Sequence, residues 1–507
     1  MVLRAGNRVA AVLDRLIAAL TGPRREQAVI IVLAAYCGLW AFYGAIAKGS
    51  QDIHFDMGEM VAWSRETLLG TPKHPPLGAW LVRAWFGVFP LTDWSYYLFA
   101  MVVATAALWL AWRIARHYLE PEKRVVGLAL LTLVPFFNFH ALKYNANTVM
   151  LPLWAAATAA FLRSYETRNI LIAALAGLAA AAAMLGKYWS AVLLLGLGVA
   201  ALVDTRRSAH FRSPAPWVTI AVGIVGLAPH VAWLCAHGFS TFRYALETHP
   251  GTLVESVGSG ISYVTGAAAY VALPLLVAAL AAWPTGAALR DVAWPQAPDR
   301  RLVVLAFVLP LVLPIVVAAA SHEIVTSLWA IASMTLLPVV LLSSPLIAVP
   351  HVAARRIVGF AIAVPLIALA LSPAIALVIH RQGLSNYASH YSGLARAVDK
   401  AWHETGDRPL RFIGSYNNLL YGVLFYLPRG VTPLEIVNPS LTPWVDDTQV
   451  ARDGIALVCP VEENPCMQAL AARGAGGRRR EVEVTRRYFA TDDKPDRFVI
   501  VIVRPRE

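Results

Sequence analysis

Charge is scarce in this chain. Only 15% of its 507 residues are Asp, Glu, Lys or Arg, where a soluble protein carries about a quarter. With a mean hydropathy of +0.57, that excludes a soluble globular enzyme. Alternating apolar and polar segments of roughly ten residues, the mark of an outer-membrane barrel, are absent before residue 380. Cysteine is scarce too, with four in all. Cys37 and Cys235 lie in apolar segments and read as small core residues. Cys459 and Cys466 are close together near the C-terminus. An oxidising compartment would allow a disulfide between them, and a reducing one would leave two thiols. No Cys/His spacing matches a zinc site, and no convincing internal repeat is found.

What the chain has instead is apolar runs, several as long as the roughly 20 residues a helix needs to cross a bilayer. Spans are placed near 27–47, 95–117, 124–140, 147–163, 169–186, 188–203, 216–236, 261–283, 302–320, 327–349 and 357–379. The expected fold is a polytopic α-helical membrane protein with about 11 transmembrane helices. Ala45-Ile46-Ala47 imitates a signal-peptidase site. The run before it is longer than a signal-peptide core, so it reads as an uncleaved first span.

The net charge of +12 sits largely in short loops. Arg113, Arg116, Lys123 and Arg124 follow the second span. Arg163 and Arg168, then Arg206, Arg207 and Arg212, then Arg290, Arg300 and Arg301, then Arg355 and Arg356 occupy alternate later loops, on the same side as Arg4, Arg8, Arg15, Arg24 and Arg25. Positive loops stay inside, so that side is expected to be cytoplasmic. No nucleic acid is needed to explain the charge. Residues 1–26 are then a cytoplasmic basic N-terminus, 27–379 the transmembrane part with a first periplasmic loop at 48–94, and 380–507 a periplasmic domain.

The tail is a different material. Its β-rich runs at 411–415, 454–459, 481–484 and 497–503, with a helical pattern at 391–404, suggest a small α/β domain. It lacks Gly-x-Gly-x-x-Gly, so no nucleotide is expected there. The run Gly474–Arg480 reads as a solvated loop.

The first outer loop, DMGEMVAWSRETLLGTPKHPPLGAW from Asp56 to Trp80, is richer than crossing a membrane requires. Phe55 to Leu69 reads as an amphipathic interfacial helix, with Phe55, Met60, Val61, Trp63 and Leu68 against lipid and the acids facing water or protein. Asp52, Asp56, Glu59 and Glu66 line it. Lys73-His74-Pro75-Pro76 then sets two cations on a stiffened backbone, with His74 extended before its proline. A carboxylate can take a proton from an attacking hydroxyl. Lys, Arg and His can neutralise a departing phosphate. The bland reading is a surface helix with ordinary acids.

Asp56, Trp63, Ser64, Gly70 and the run His74-Pro75-Pro76-Leu77 resemble the first periplasmic loop of bacterial glycosyltransferase family 39. These proteins are related to protein O-mannosyltransferases and lipid A aminoarabinose transferases, in the GT-C class of membrane glycosyltransferases. The segment Pro229–Arg243, PHVAWLCAHGFSTFR, is similar to a later outer loop of that family. Gly186-Lys187-Tyr188 resembles its Thr-Lys-Tyr turn, and Ser327-Leu328-Trp329-Ala330 weakly resembles an Asn-Trp-Pro-Ala turn. The resemblance spans roughly residues 25 to 345. There are departures: Met57 stands where the family usually has Glu, and Asn145-Ala146-Asn147 where many members have Asn/Thr-Pro-Asp. Both remove acids a metal would use, and no metal or other cofactor is expected.

The resemblance implies an inverting glycosyltransferase. The donor would be a sugar on a polyprenyl phosphate. The acceptor hydroxyl would enter from the periplasmic face of the inner membrane, on an envelope glycolipid such as lipid A or lipopolysaccharide core. Asp56 would be the base, needing no covalent intermediate. Lys73, His74, Lys187 and Arg243 are candidates for the donor phosphate. Glu59, Trp63, Tyr144, Asn147, Tyr188, His237 and His322 are candidates for the cavity, along with neighbours Lys143, Asn145 and Glu323. Lys187 at a span end also reads as a snorkelling side chain, and His237 as a structural hydrogen bond. A lipid-linked sugar flippase, a protein O-glycosyltransferase and a non-catalytic assembly partner are the alternatives. A flippase would concentrate charge near the midplane, whereas here it gathers at the outer face.

Overall fold

The computed structural model describes residues 2–66, 68–248, 251–281, 283–384 and 386–505. The chain folds as two compact units, one of residues 1–41 and 98–369, the other of 42–97 and 370–507. The first outer loop and the C-terminal tail are therefore parts of one body.

The first unit is helical throughout. Among the described residues, six helices of the whole chain are long and apolar enough to cross a membrane: Arg25–Ala47, Asp93–Ala115, Ala215–Ala236, Leu253–Ala281, Pro298–Ala320 and His351–Gln382. Shorter apolar helices, Ile170–Gly186, Ser190–Val203 and Ser327–Leu342, lie among them, and Ala146–Thr167 completes the set. Each expected span thus contains a helix, and the polytopic helical fold holds. Two are shorter than expected. The segment 124–140 is α-helical only to Thr132 and gives way to a 3₁₀ turn at Pro135–Phe137. The segment 327–349 is a 3₁₀ helix to Leu336, then one α-helical stretch ending at Leu342. The basic N-terminus is also structured, as the helix Val2–Thr21, with Ile17 and Leu20 buried.

Local chemistry sets these ends. Asn145 caps the helix Ala146–Thr167, its Oδ1 accepting from the backbone N–H of Asn147 and Thr148. Asn169 caps Ile170–Gly186 likewise, through Leu171 and Ile172, satisfying N–H groups no turn can reach. Without a hydrophobic drive between helices in lipid, small residues let backbones approach. A Cβ on Gly177 would stand 2.5 Å from the Thr219 carbonyl oxygen, and one on Gly196 would stand 2.8 Å from the Pro310 ring.

The second unit contains a mixed five-stranded sheet. We number its strands β1 (Phe412–Ser415), β2 (Thr432–Glu435), β3 (Ile455–Pro460), β4 (Arg478–Val484) and β5 (Asp496–Val503). The order is β2-β1-β3-β5-β4, parallel from β2 to β3 and antiparallel at β5 and β4. The expected α/β domain is present. The Gly474–Arg480 run is only partly loop, because β4 begins at Arg478 and pairs with Ile502. Cys459 and Cys466 are joined in a disulfide, with Cα atoms 5.7 Å apart.

The first outer loop is built into this unit. The helix Phe55–Arg65 packs on the helix Asn417–Phe425, and Ala62 belongs to the same core as Tyr391, Trp402, Leu419 and Ile500. A Cβ at Gly58 would collide with the Tyr421 backbone, so glycine permits the approach. This corrects the interfacial reading. Met60, Val61 and Trp63 are buried in protein, and so is Glu59. The helix also ends at Arg65, four residues short of Leu69.

Candidate active site

Two groups of the expected residues take shape, one in each unit. In the second unit, Asp56 stands in the first turn of the helix Phe55–Arg65. His54 caps that turn: its Nδ1 accepts from the Asp56 N–H at 3.2 Å and lies 3.6 Å from the Asp56 carboxylate. The Asp56 side chain keeps 21% exposure, so the carboxylate is reachable while its backbone is fixed. Negative charge in a first turn is favoured by the helix dipole.

One turn on, Glu59 faces Lys73. The ammonium donates to Glu59 Oε1 at 2.6 Å and to Asn417 Oδ1 at 3.0 Å, and lies 6.0 Å from the centre of the Tyr421 ring. Both charged side chains are almost wholly buried. Burial pushes the Glu59 carboxyl upward against the pull of Lys73, and Asp56 adds to the rise. Glu435, buried at the end of β2, is raised by burial too, while Lys73 is among the groups drawing it down.

His74 follows directly and stays partly exposed. Its ring meets Trp63 edge-on at 5.7 Å. Thr71 holds its backbone, with the Thr71 N–H and hydroxyl donating to the His74 carbonyl at 3.1 and 2.8 Å, and the hydroxyl accepting from the His74 N–H at 3.0 Å. Thus Asp56, Glu59, Trp63, Lys73 and His74 are brought together. The off-register acid Asp52 does different work. Its carboxylate, 1% exposed, pairs with Arg486 at 2.7 Å and accepts from the Ser392 N–H at 2.8 Å. Arg65 donates to the carbonyls of Leu424 and Val431 at 3.0 and 2.6 Å. Burial and the nearby Arg429 lower its guanidinium to about 10.

In the first unit, Lys187 ends the helix Ile170–Gly186 and donates to Asn147 Oδ1 at 2.5 Å, with its ammonium 4.9 Å from the Trp329 ring. Tyr188 joins its hydroxyl to His230 at 2.7 Å and stacks on Phe242 at 4.7 Å. Trp189 donates to the Trp329 carbonyl at 3.3 Å. Lys187, Tyr188 and Asn147 therefore share an aromatic-lined corner, and Arg243 follows Phe242 directly. The Arg243 guanidinium donates to the Gly238 carbonyl and is otherwise exposed. His237 is exposed and bonds Trp233 through its Nδ1. Tyr144 is fully buried against Phe99. His322 is exposed in a left-handed turn, and its carbonyl accepts from Gly251.

Sequence reasoning missed Asn417, Tyr421, Thr71 and His230. Asn417 lies 344 positions from Lys73, and no local pattern links them. Thr71 was readable, as a hydroxyl residue three before His74. Among the described residues, no group of three or more His, Cys, Asp or Glu stands close enough to hold a metal.

These features define a class: a multi-pass membrane protein with a GT-C-like helical body and a small sheet domain. The profile of the dolichyl-phosphate-mannose-protein mannosyltransferases matches residues 73–233. The lipid A galacturonosyltransferase RgtD of Rhizobium johnstonii is 25% identical over 199 residues, covering 39% of this chain and 41% of that protein. The matched segment thus spans less than half of that relative. Two crystal structures of ArnT from Cupriavidus metallidurans share the fold. The one bound to undecaprenyl phosphate superposes with a TM-score of 0.62 at 13% identity, covering 93% of this chain and 97% of that one. The apo form gives 0.61 at 11%, with the same coverage. The resemblance to membrane glycosyltransferases of the GT-C class holds in sequence and in fold. Asp56 lies upstream of the family match, which begins at Lys73.

Proposed function

We propose that the chain is an inverting glycosyltransferase of the bacterial inner membrane. It moves a sugar from a polyprenyl phosphate to an acceptor hydroxyl on an envelope glycolipid of the lipid A or lipopolysaccharide-core type, at the periplasmic face. The observation that carries this is the cluster in the first outer loop, where a capped, partly exposed Asp56 lies in the same unit as Lys73 and His74. The names of the relatives supply the substrate classes: lipid A for the Rhizobium protein and undecaprenyl phosphate for the Cupriavidus one. The Cys459–Cys466 disulfide supports a tail in an oxidising compartment, and the basic loops support a cytoplasmic N-terminus.

In this reading Asp56 removes the proton from the acceptor hydroxyl as its oxygen attacks the sugar C1. The bond to the lipid phosphate breaks on the opposite face, and the configuration inverts. The candidates to meet the charge that develops on the departing phosphate are His74 in the second unit and Lys187 and Arg243 in the first. Lys73, already engaged by Glu59 and Asn417, contributes positive potential and holds the loop that presents His74. Trp63 in the second unit, and Tyr144, Asn147, Tyr188, His237 and His322 in the first, are the candidates for contact with substrate. A lipid phosphate is a competent leaving group, so positioning and charge supply most of the catalysis, and no metal is assigned a role.

The test is transfer of labelled sugar from polyprenyl-phosphate donors to lipid A and to an envelope lipid extract, comparing wild type with Asp56→Asn at equal yield and monodispersity. The expected result is transfer by wild type and a loss of about 10²–10⁴-fold in the variant. Equal transfer by both removes Asp56 from the base role. Donor bound but not consumed by wild type, across uronate, pentose and hexose donors, favours a flippase instead.

A further inference from the structure

The face of the helical unit that carries the basic interhelical loops holds a second site. A pocket of about 240 Å³ opens between the end of the helix Asp93–Ala115, the turn after it, and the C-terminal half of Ala146–Thr167. Arg113, Arg116 and Arg163 edge it with His117, and Ile114, Ala159 and Leu162 form an apolar floor. No carboxylate lines the pocket. The adjacent Glu166 is engaged, accepting from the Tyr118 hydroxyl at 2.7 Å and pairing with Arg163 at 3.1 Å. Glu26 and Asp299 also lie within electrostatic reach, of Arg113 and Tyr118 respectively, but neither lines the pocket. Burial first, then Arg163 and Arg116, push the His117 imidazole below its ordinary value, against an opposing pull from Glu166.

This site is distinct from the candidate active site. Along the helix Ala146–Thr167, Asn147 at one end meets Lys187 and Arg163 stands near the other. Sixteen residues of helix separate them, roughly 24 Å, close to the thickness of a bilayer core. Trp109, one turn deeper than Arg113, is 38% exposed, and the Arg113 guanidinium lies 5.6 Å from its ring. Trp beside Arg is the arrangement found where lipid headgroups meet hydrocarbon. The positive-inside rule accounts for basic loops, but not for a shaped hollow with an apolar floor and three arginines at its edge.

We propose that this pocket binds the phosphate of an anionic phospholipid from the leaflet at that face. The guanidinium groups of Arg113 and Arg116 hold the phosphate, and Ile114, Ala159 and Leu162 take the first methylene groups of the lipid. Basic hollows between transmembrane helices recognise anionic headgroups in this manner.

The test is native mass spectrometry of the full-length protein in mild detergent, with phosphatidylglycerol and phosphatidylcholine of identical acyl chains. Wild type is expected to retain phosphatidylglycerol preferentially. Arg113→Gln with Arg116→Gln is expected to weaken that retention about thirtyfold, two headgroup-level arginines at their usual strength. The Arg→Lys pair at the same positions retains a preference, which separates lost charge from a damaged fold. If the Gln pair does not fold, added salt must release phosphatidylglycerol from wild type and leave phosphatidylcholine unchanged. Equal retention of the two lipids, or full retention by a well-folded Gln pair, overturns the proposal. So does inorganic phosphate that binds lipid-free protein and displaces phosphatidylglycerol at millimolar levels, which would make this a free-phosphate site. Sugar transfer plays no part in this readout, so failure here leaves the proposed enzyme untouched.

Discussion

Lys73 and Glu59 form a buried ion pair, 2.6 Å from nitrogen to oxygen, and Asn417 of the distant C-terminal domain also accepts from the ammonium, at 3.0 Å. Two side chains at 6% and 7% exposure cannot both stay charged without each other. Removing one partner of such a pair typically costs about 3–5 kcal/mol, because the other is left desolvated and unpaired, whereas removing both is far milder. Lys73→Met is therefore expected to destabilise the protein by that amount. Lys73→Met with Glu59→Gln should recover most of the loss. Denaturant titration in detergent, followed by tryptophan fluorescence, measures both. A single variant within about 1 kcal/mol of wild type would mean that the pair is wetter than its burial implies.

Asp52 and Asp56 are four residues apart and predict opposite phenotypes. Asp52 is sealed between Arg486 and the Ser392 N–H, so Asp52→Asn weakens a buried link between loop and tail. Its melting temperature should fall by several degrees. Asp56 is capped by His54 and partly exposed. Asp56→Asn should melt within about a degree of wild type while transfer falls by 10²–10⁴-fold. A melting-temperature loss in Asp56→Asn as large as that in Asp52→Asn would make Asp56 a structural residue.

Much of this was legible in the sequence. Apolar runs announced a helix in each expected span, because a bilayer demands internally bonded helices of fixed length, but not shorter helices such as Leu77–Val88 or Asn417–Phe425. The resemblance centred on Asp56, Trp63 and His74 pointed to the loop that the structure fixes as a cluster. What was hidden has a physical reason. The interfacial reading of Phe55–Leu69 failed because an apolar helix face does not say whether lipid or protein covers it. The cover is the helix Asn417–Phe425, far along the chain. The pairing of Lys73 with Glu59 and Asn417 is likewise a tertiary fact. Sequence shows the charge of Lys73 beside His74, which makes it a phosphate candidate, but not the partners that this charge already has.

Gly58 tests that cover directly. Its lack of a side chain lets the backbone of Tyr421 settle on the helix Phe55–Arg65. Gly58→Ala forces a Cβ into main chain that has no rotamer to yield, so a loss of about 1–3 kcal/mol is expected, as for other overpacked cores. Limited proteolysis should then cleave the C-terminal domain faster in the variant. Unchanged cleavage would mean that the two helices separate without consequence.

Glu435 supplies a pH test whose sign is set by burial. Its Oε1 accepts from the N–H groups of Val437 and Asn438 at 2.9 and 3.2 Å, while Oε2 has no partner among the described residues. Burial raises the carboxyl above its ordinary 4.5, so the folded state holds the proton more tightly than the unfolded state does. The stability this group contributes is complete below the unfolded value and is lost as pH rises through the folded one. Once pH has passed that folded value, the fold carries a buried charge whose Oε2 lacks a hydrogen-bond partner among the described residues. Glu435→Gln keeps the acceptor for both N–H groups and removes that charge. The variant should be more stable than wild type near pH 8, by about 1–3 kcal/mol, the usual cost of an unsatisfied buried group. The gap should close as pH falls below 4.5, where both proteins are neutral at this position. A wild type more stable than the variant near pH 8 would show instead that the carboxylate is held as an anion, with Lys73 the cation placed to hold it.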